Sequence, residues 1–135
     1  MIVVTGGAGF IGTNLVRELI KLNKEVLIVE ELDKYSSKFK NIDSLEIVDC
    51  IGHDTFLKDL HNGKYSNKID YIFHLGACSK TTEPDRGYVM EVNLNYSKKL
   101  LNYSANNGID MVYASSASVY GLSLIHISEP TRLRR

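Results

Sequence analysis

Apolar residues along the chain come in short blocks separated by polar breaks. Residues 1–4 (Met-Ile-Val-Val) form the first block, and glycines at 6, 7, 9 and 12 follow at once. Residues 10–22 then place Ile11, Leu15, Leu19 and Leu22 on one stripe, with Val16 and Ile20 beside it and Arg17, Glu18 and Lys21 opposite. That spacing predicts an amphipathic helix with one buried side. Asn23-Lys24 ends it. Residues 25–30 (Glu-Val-Leu-Ile-Val-Glu) form an unbroken apolar run between charges, as a parallel strand buried on both faces does. Residues 45–48 predict a third strand with Asp49 at its end, and 53–60 a short helix with Phe56, Leu57 and Leu60 inward. A polar loop over 62–68 leads to a fourth strand, 69–75, which ends in Gly76-Ala77. Pro84 and Gly87 precede a long helix over 88–106, in which Val89, Val92, Tyr96, Leu100 and Tyr103 keep helical spacing. Asn107-Gly108 is a helix stop, and 111–114 predict a fifth strand. Strands alternating with helices predict an α/β fold around a parallel sheet.

The stretch between the first strand and the first helix narrows this. In Thr5-Gly6-Gly7-Ala8-Gly9-Phe10-Ile11-Gly12, three glycines spell G-x-G-x-x-G, and Gly6, Gly9 and Gly12 also stand three apart. Glycine is needed where the chain turns tightly, where backbone approaches a pyrophosphate, and where a helix packs close on a strand. The helix N-terminus adds free N–H groups and the positive end of a dipole. The expected fold is a Rossmann-type sheet of order 3-2-1-4-5. Glu30 ends the second strand about 20 residues further on, where an acid accepts hydrogen bonds from the adenosine ribose. A charge where a strand meets solvent is the alternative. Glu31 adds a second carboxylate. The two acids repel a ribose 2′-phosphate, whereas Lys34, Lys38 and Lys40 could neutralise one, so NAD and NADP both stay open. Asp49 either reaches the adenine edge or caps the helix after it. His74 reads as a packed strand histidine with no assigned role. Cys78-Ser79-Lys80-Thr81-Thr82 and the serine-rich segment from Ser115 to Gly121 fall at the sheet edge where ligands of open α/β sheets collect. Asn93 is either a satisfied core amide or a ligand contact.

Composition removes several classes of function. The chain has 135 residues, at most one ordinary domain. Sixteen basic residues balance sixteen acidic ones, so no nucleic-acid or anionic-membrane partner is expected. Cys50 and Cys78 show neither metal-ligand spacing nor a disulfide framework. Glycines by residue 6 leave no room for a secretory leader, and no apolar run has the length of a membrane span. A soluble, cytoplasmic protein is the expectation.

The TGGAGFIG opening, the five alternating strands and the ASSASVYG segment together resemble the extended short-chain dehydrogenase/reductase superfamily of NAD(P)-dependent nucleotide-sugar epimerases and dehydratases. The resemblance covers residues 1–121. IFHLGACSKTTE at 72–83 and NYSKKLLNYS at 95–104 resemble its ADP-glyceromanno-heptose 6-epimerase branch. It implies that Phe10 and Ile11 lie over the pyrophosphate. Glu30, Glu31 and Lys38 surround the ribose, with Lys38 favouring NADP; the family usually shows Asp-Asn where this chain has Glu30-Glu31. Leu75, Gly76, Ala77, Cys78 and Ser79 border the cofactor, Asn93 supports the site, and Ser116 is the catalytic serine beside the substrate oxygen. The implied reaction on a nucleotide-sugar is oxidation of a carbinol to a ketone and return of the hydride to the opposite face. It needs a tyrosine acid/base with a lysine four residues later. No Tyr-x-x-x-Lys occurs in the sequence, so the chain itself is not expected to turn over. The parent enzyme is expected to be a homo-oligomer. A dinucleotide-binding module without catalysis is the alternative, which Ser116 speaks against.

Residues 122–135 do not resemble the family. They resemble, in full, the translation of a transposase-based sequencing-library adapter. The expected organisation is therefore a partial dinucleotide-binding domain over 1–121 and a non-native tail over 122–135. The family's later strands and small substrate domain are then missing, and the fifth strand is left as a sheet edge, a pairing hazard. The tail sets Glu129 against Arg132, Arg134 and Arg135, and this basic end is not read as a partner site.

Overall fold

The computed structural model describes residues 1–31, 38–79 and 82–116. Lys34, Lys80, Thr81, the 117–121 part of the serine-rich segment and the 122–135 tail lie outside the described residues. Five strands, β1 (Ile2–Thr5), β2 (Val26–Val29), β3 (Asp49–Ile51), β4 (Tyr71–His74) and β5 (Asp110–Tyr113), pair in parallel in the order β3-β2-β1-β4-β5. This is the Rossmann-type order read from the sequence. Helices α1 (Phe10–Lys21), α2 (His53–His61), α3 (Arg86–Met90) and α4 (Tyr96–Asn107) fill the connections.

The sheet is a two-faced core. On one face Val3, Leu27, Val29 and Ile72 pack with Phe56 and Leu60 of α2 and with Tyr96 and Leu100 of α4. On the other, Val4, Val26 and Ile28 pack with Val16 and Leu19 of α1. All four residues of β2 are buried, because β2 has a strand on each side and a helical layer above and below. The strand registers put Ile51, Val29, Thr5, His74 and Tyr113 in one row across the C-terminal edge. The order reverses at β1, so the connections after β1 and β4 lead to helices on opposite faces of the sheet, and a crevice opens at that edge.

Three expectations need correction. The third strand is not 45–48 but Asp49–Ile51. Leu45 and Ile47 instead pack against the α1-side core, and Val48 only donates its N–H to Val26 O (2.8 Å) on the way in. Asp49 therefore starts the strand, accepting from Cys50 N (2.8 Å). It does not cap α2, whose N-cap is Gly52. On α1, Ile11 and Leu22 are exposed; the buried face is Gly12, Thr13, Val16 and Leu19. Ile11 is in the first turn of α1, off its buried face, and Leu22 is already the C-cap. The long helix is not uniform, since a five-residue π segment, Glu91–Asn95, joins α3 to α4. Its end is as expected, with Gly108 left-handed at φ 63°.

Candidate cofactor and substrate clefts

The glycine turn is built on backbone contacts too close for side chains. Gly6 has φ +70°, and a Cβ there would stand 2.8 Å from both N and Cα of Gly76. A Cβ on Gly12 would stand 2.1 Å from Gly6 O and 2.7 Å from Gly7 Cα. The turn thus seats α1 against the β1 end and brings the β4 loop alongside. Gly9 is the N-cap of α1, with no side-chain cap and no acid in the first turn. The first-turn N–H groups of a helix have no intrahelical acceptor. An uncapped, acid-free N-terminus fits an anionic pyrophosphate. Phe10 and Ile11 flank it, 87% and 71% exposed.

Beside the turn lies a cleft of about 280 Å³. Gly6, Glu30, Glu31 and Lys38 line one side, and Gly76, Ala77, Cys78 and Ser79 the other. Eight expected cofactor residues are thus brought together. Gly9, Phe10, Ile11 and Gly12 are outside this lining and stand at the helix end. Leu75 turns its side chain to the α1-side core and keeps its backbone at the edge, its N–H donating to Thr5 O (3.2 Å). A second cleft, about 770 Å³, shares Ala77, Cys78 and Ser79 and is lined further by Asn93, Tyr113, Ser115 and Ser116. Asn93 spends its amide on the wall: Cys78 N donates to Oδ1 (2.7 Å) and Nδ2 donates to Cys78 O (3.0 Å). Asn93 thus has both ends of its amide bonded to Cys78 while it lines the second cleft.

The two acids separate in role. Lys38 Nζ donates to Glu30 Oε1 (3.1 Å) inside the cleft. Glu31 Oε1 accepts from His53 N (2.8 Å) and lies 2.7 Å from His53 Nδ1. Its carboxylate fills the space over Gly52, where a Cβ would come within 2.5 Å. Glu31 is thus the cap that glycine cannot supply. Replacing Glu31 by Ala is expected to cost about 1 kcal/mol, read as a lower urea midpoint with an unchanged denaturant slope.

Sequence reasoning missed His53, Tyr88, Val92 and Tyr96, all in the first cleft. Tyr96 carried a signal, for it sits on the inward stripe of the long helix and a buried phenol needs a partner. Its hydroxyl is buried in the cleft wall with no hydrogen-bond partner among the described residues, and burial pushes its pKa up. This orphan fits a polar ligand atom arriving in the cleft. Tyr96→Phe is therefore expected to act in opposite directions. It stabilises the ligand-free chain by about 1 kcal/mol and weakens dinucleotide binding roughly threefold to tenfold. Parallel thermal melts and binding titrations read both effects.

Other chemistry is quiet. Burial, then the Glu30 charge, pushes the Cys50 thiol up to about 11, which keeps it an unreactive thiol. Among the described residues no three His, Cys, Asp or Glu side chains gather to hold a metal ion. No described helix is long and apolar enough to cross a membrane.

A parallel 3-2-1-4-5 sheet with an uncapped helix N-terminus and an acid-lined cleft at the switch point defines a dinucleotide-binding protein of the Rossmann type. The family model described as NAD dependent epimerase/dehydratase matches residues 2–134, and the chain belongs to that family. NAD(P) is accordingly the class of its cofactor. Solved structures agree. The ADP-L-glycero-D-manno-heptose-6-epimerase of Helicobacter pylori is 31% identical, with TM-score 0.73 over 89% of this chain and 40% of its own. A UDP-galactose 4-epimerase is 36% identical, with TM-score 0.62 over 89% of this chain and 39% of its own. A short-chain dehydrogenase/reductase superfamily protein from Agrobacterium tumefaciens, with bound NAD, is 25% identical, with TM-score 0.69 over 90% of this chain and 34% of its own. The chain thus spans at most about two fifths of the length of these proteins.

Proposed function

We propose that this chain is the cofactor-binding part of a nucleotide-sugar epimerase that inverts C6 of ADP-glyceromanno-heptose. The observation that carries the reading is the pair of clefts meeting at Ala77, Cys78 and Ser79. One holds the acid of a ribose site and the other holds Ser116. Gly6, Glu30 and the shared Ala77–Ser79 wall would hold a nicotinamide cofactor across them, and that group would supply the hydride acceptor and donor the inversion needs. The N-terminus of α1 would hold the pyrophosphate. Glu30 would accept from the ribose hydroxyls, and since Lys38 is paired to it, a 2′-phosphate would meet that carboxylate. This supports NAD over NADP. Ser116 would donate to the substrate oxygen from the second cleft. The Cys78–Ser79 wall, braced by Asn93, would separate the reacting groups from the ribose end.

The heptose substrate is supported by the 72–83 segment and the 31% identity to the Helicobacter enzyme. The 36% identity to a UDP-galactose 4-epimerase supports a UDP-sugar as the second reading. Lacking Tyr-x-x-x-Lys, the 135-residue chain is proposed to bind cofactor without turnover. Residues 122–135 are foreign sequence in this reading, although the family match runs to residue 134. Long-read sequencing across the Gly121 codon tests that, and a frame reaching Tyr-x-x-x-Lys would support it. For function, the full reading frame is assayed on both sugars. Interconversion of ADP-heptose epimers supports the first reading, and conversion of UDP-galactose alone replaces it. Tight dinucleotide binding with neither conversion leaves a binding module.

A further inference from the structure

We propose that His74 is a positioning residue: as the Nε2–H tautomer, it ties Thr5 at the glycine turn to Ser97 on α4, and so holds residues 76–78 as the wall between the two clefts. The proposal rests on reading the first cleft as a dinucleotide site. His74 is fully buried at the end of β4. Its ring stacks on Tyr113 (centroids 5.3 Å apart, planes at 21°) and meets Tyr96 edge-on (5.6 Å, 61°). Both ring nitrogens are engaged, Nδ1 with Thr5 Oγ1 at 2.6 Å and Nε2 with Ser97 Oγ at 2.7 Å.

The direction of each bond follows from the ends of the chain. Ser97 Oγ donates its one proton to Asn93 O (2.9 Å), because a carbonyl only accepts. At the Nε2 contact the ring must therefore donate. A buried ring facing two hydroxyls and two aromatic faces stays neutral, and burial does hold its pKa well below the ordinary value, at about 4. Nδ1 is then an acceptor, and Thr5 Oγ1 donates to it. That hydroxyl in turn accepts from Gly76 N (2.9 Å). Every proton has one destination. The two ends of this relay are the wall itself. Gly76 is held through Thr5, and Cys78 is held at both its N–H and its C=O by the Asn93 amide. Asn93 gives its carbonyl to Ser97 and its side chain to Cys78 from within the Glu91–Asn95 π segment. Widened π turns recur where a helix serves a site, and here one residue makes both contacts. Removing one member leaves a buried polar atom unpaired, and the loss passes along the chain.

Ser97 lines neither cleft, so it can affect the cofactor only through this relay. The test uses the 135-residue chain labelled with ¹⁵N-histidine. Long-range ¹H–¹⁵N correlation is expected to show His74 protonated at Nε2 and bare at Nδ1. Ser97→Ala is expected to speed amide exchange at Gly76 and Cys78 roughly tenfold and to weaken NAD about fivefold to tenfold, with exchange at Val3 and Ile72 unchanged. Ser97→Thr, which keeps the hydroxyl, is expected to restore both. Thr5→Val against Thr5→Ser repeats the comparison from the other end. A ring protonated at Nδ1, or unchanged exchange at Cys78 in Ser97→Ala, overturns the proposal. Faster exchange with unchanged NAD affinity overturns the positioning role. If the unsubstituted chain binds no NAD, the dinucleotide reading fails. The tautomer and exchange results then still decide whether the ring holds the wall.

Discussion

Gly12→Ala is expected to destabilise the chain by about 3 kcal/mol and to abolish dinucleotide binding. The added methyl would stand 2.1 Å from Gly6 O and 2.7 Å from Gly7 Cα. Both are backbone atoms of the turn, so no side-chain rotation relieves the clash. Either α1 moves away from β1 or the turn opens, and both displace the N–H groups proposed to meet the pyrophosphate. Marginal stability of roughly 5–15 kcal/mol makes such a loss large. Gly9→Ala is the control, because its Cβ would meet only Gly6 O, at 3.2 Å. It is expected to change stability by less than about 1 kcal/mol yet to weaken cofactor binding, since its methyl would stand at the α1 N-cap. Urea unfolding and NAD titration of the two variants separate packing from ligand approach. Equal stability losses in both would show that the close approach at Gly12 is not what shapes the turn.

Acid is the second large lever. Burial lowers the His74 pKa from its ordinary 6.5 to about 4. Below 6.5 the unfolded chain takes up a proton here that the folded chain refuses, so stability is full above that pH and falls as the pH drops toward 4. A separation of about 2.5 pH units corresponds to a total of about 3 kcal/mol. Asp70 and Glu91 have pKa values lowered by the N-terminal ammonium and by Lys99 respectively, so their losses begin at lower pH. Unfolding free energies measured from pH 7 to 4.5 should therefore fall, with a slope approaching one proton. The fall should vanish in His74→Asn, where nothing titrates at this site. A flat profile in the unsubstituted chain would mean that the ring titrates alike in the folded and unfolded chain, as one open to water does.

Much of this architecture is legible in the sequence, because apolar blocks bounded by charge or glycine have few alternatives. The run from Val26 to Val29 could only be an inner strand, and the glycine turn had a strand before it and a helix after it. The third strand was misplaced because Leu45, Ile47 and Val48 look more strand-like than Asp49-Cys50-Ile51. Pairing with Leu27, Ile28 and Val29 decides the matter, and that partnership is invisible to local pattern. Glu30 and Glu31 read alike as acids at a strand end. Only the placement of α2 shows that one faces Lys38 and the other caps a helix that begins with glycine. The π segment escaped for a similar reason: Val89, Val92 and Tyr96 fit a regular period well enough, and the deviation serves side-chain bonds between Asn93, Ser97 and Cys78. His74 looked like an ordinary strand histidine, and its hydroxyl partners come from Thr5, 69 residues away, and Ser97, 23 residues away.

The most direct test of the central claim is a calorimetric titration of NAD into the purified 135-residue chain, repeated with NADP and with Gly12→Ala. The expected result is saturable binding of one NAD per chain, weaker binding of NADP, and none in the Gly12→Ala variant. Absence of heat at millimolar NAD, or equal binding by the Gly12→Ala variant, would contradict the assignment of this turn and its cleft to a dinucleotide.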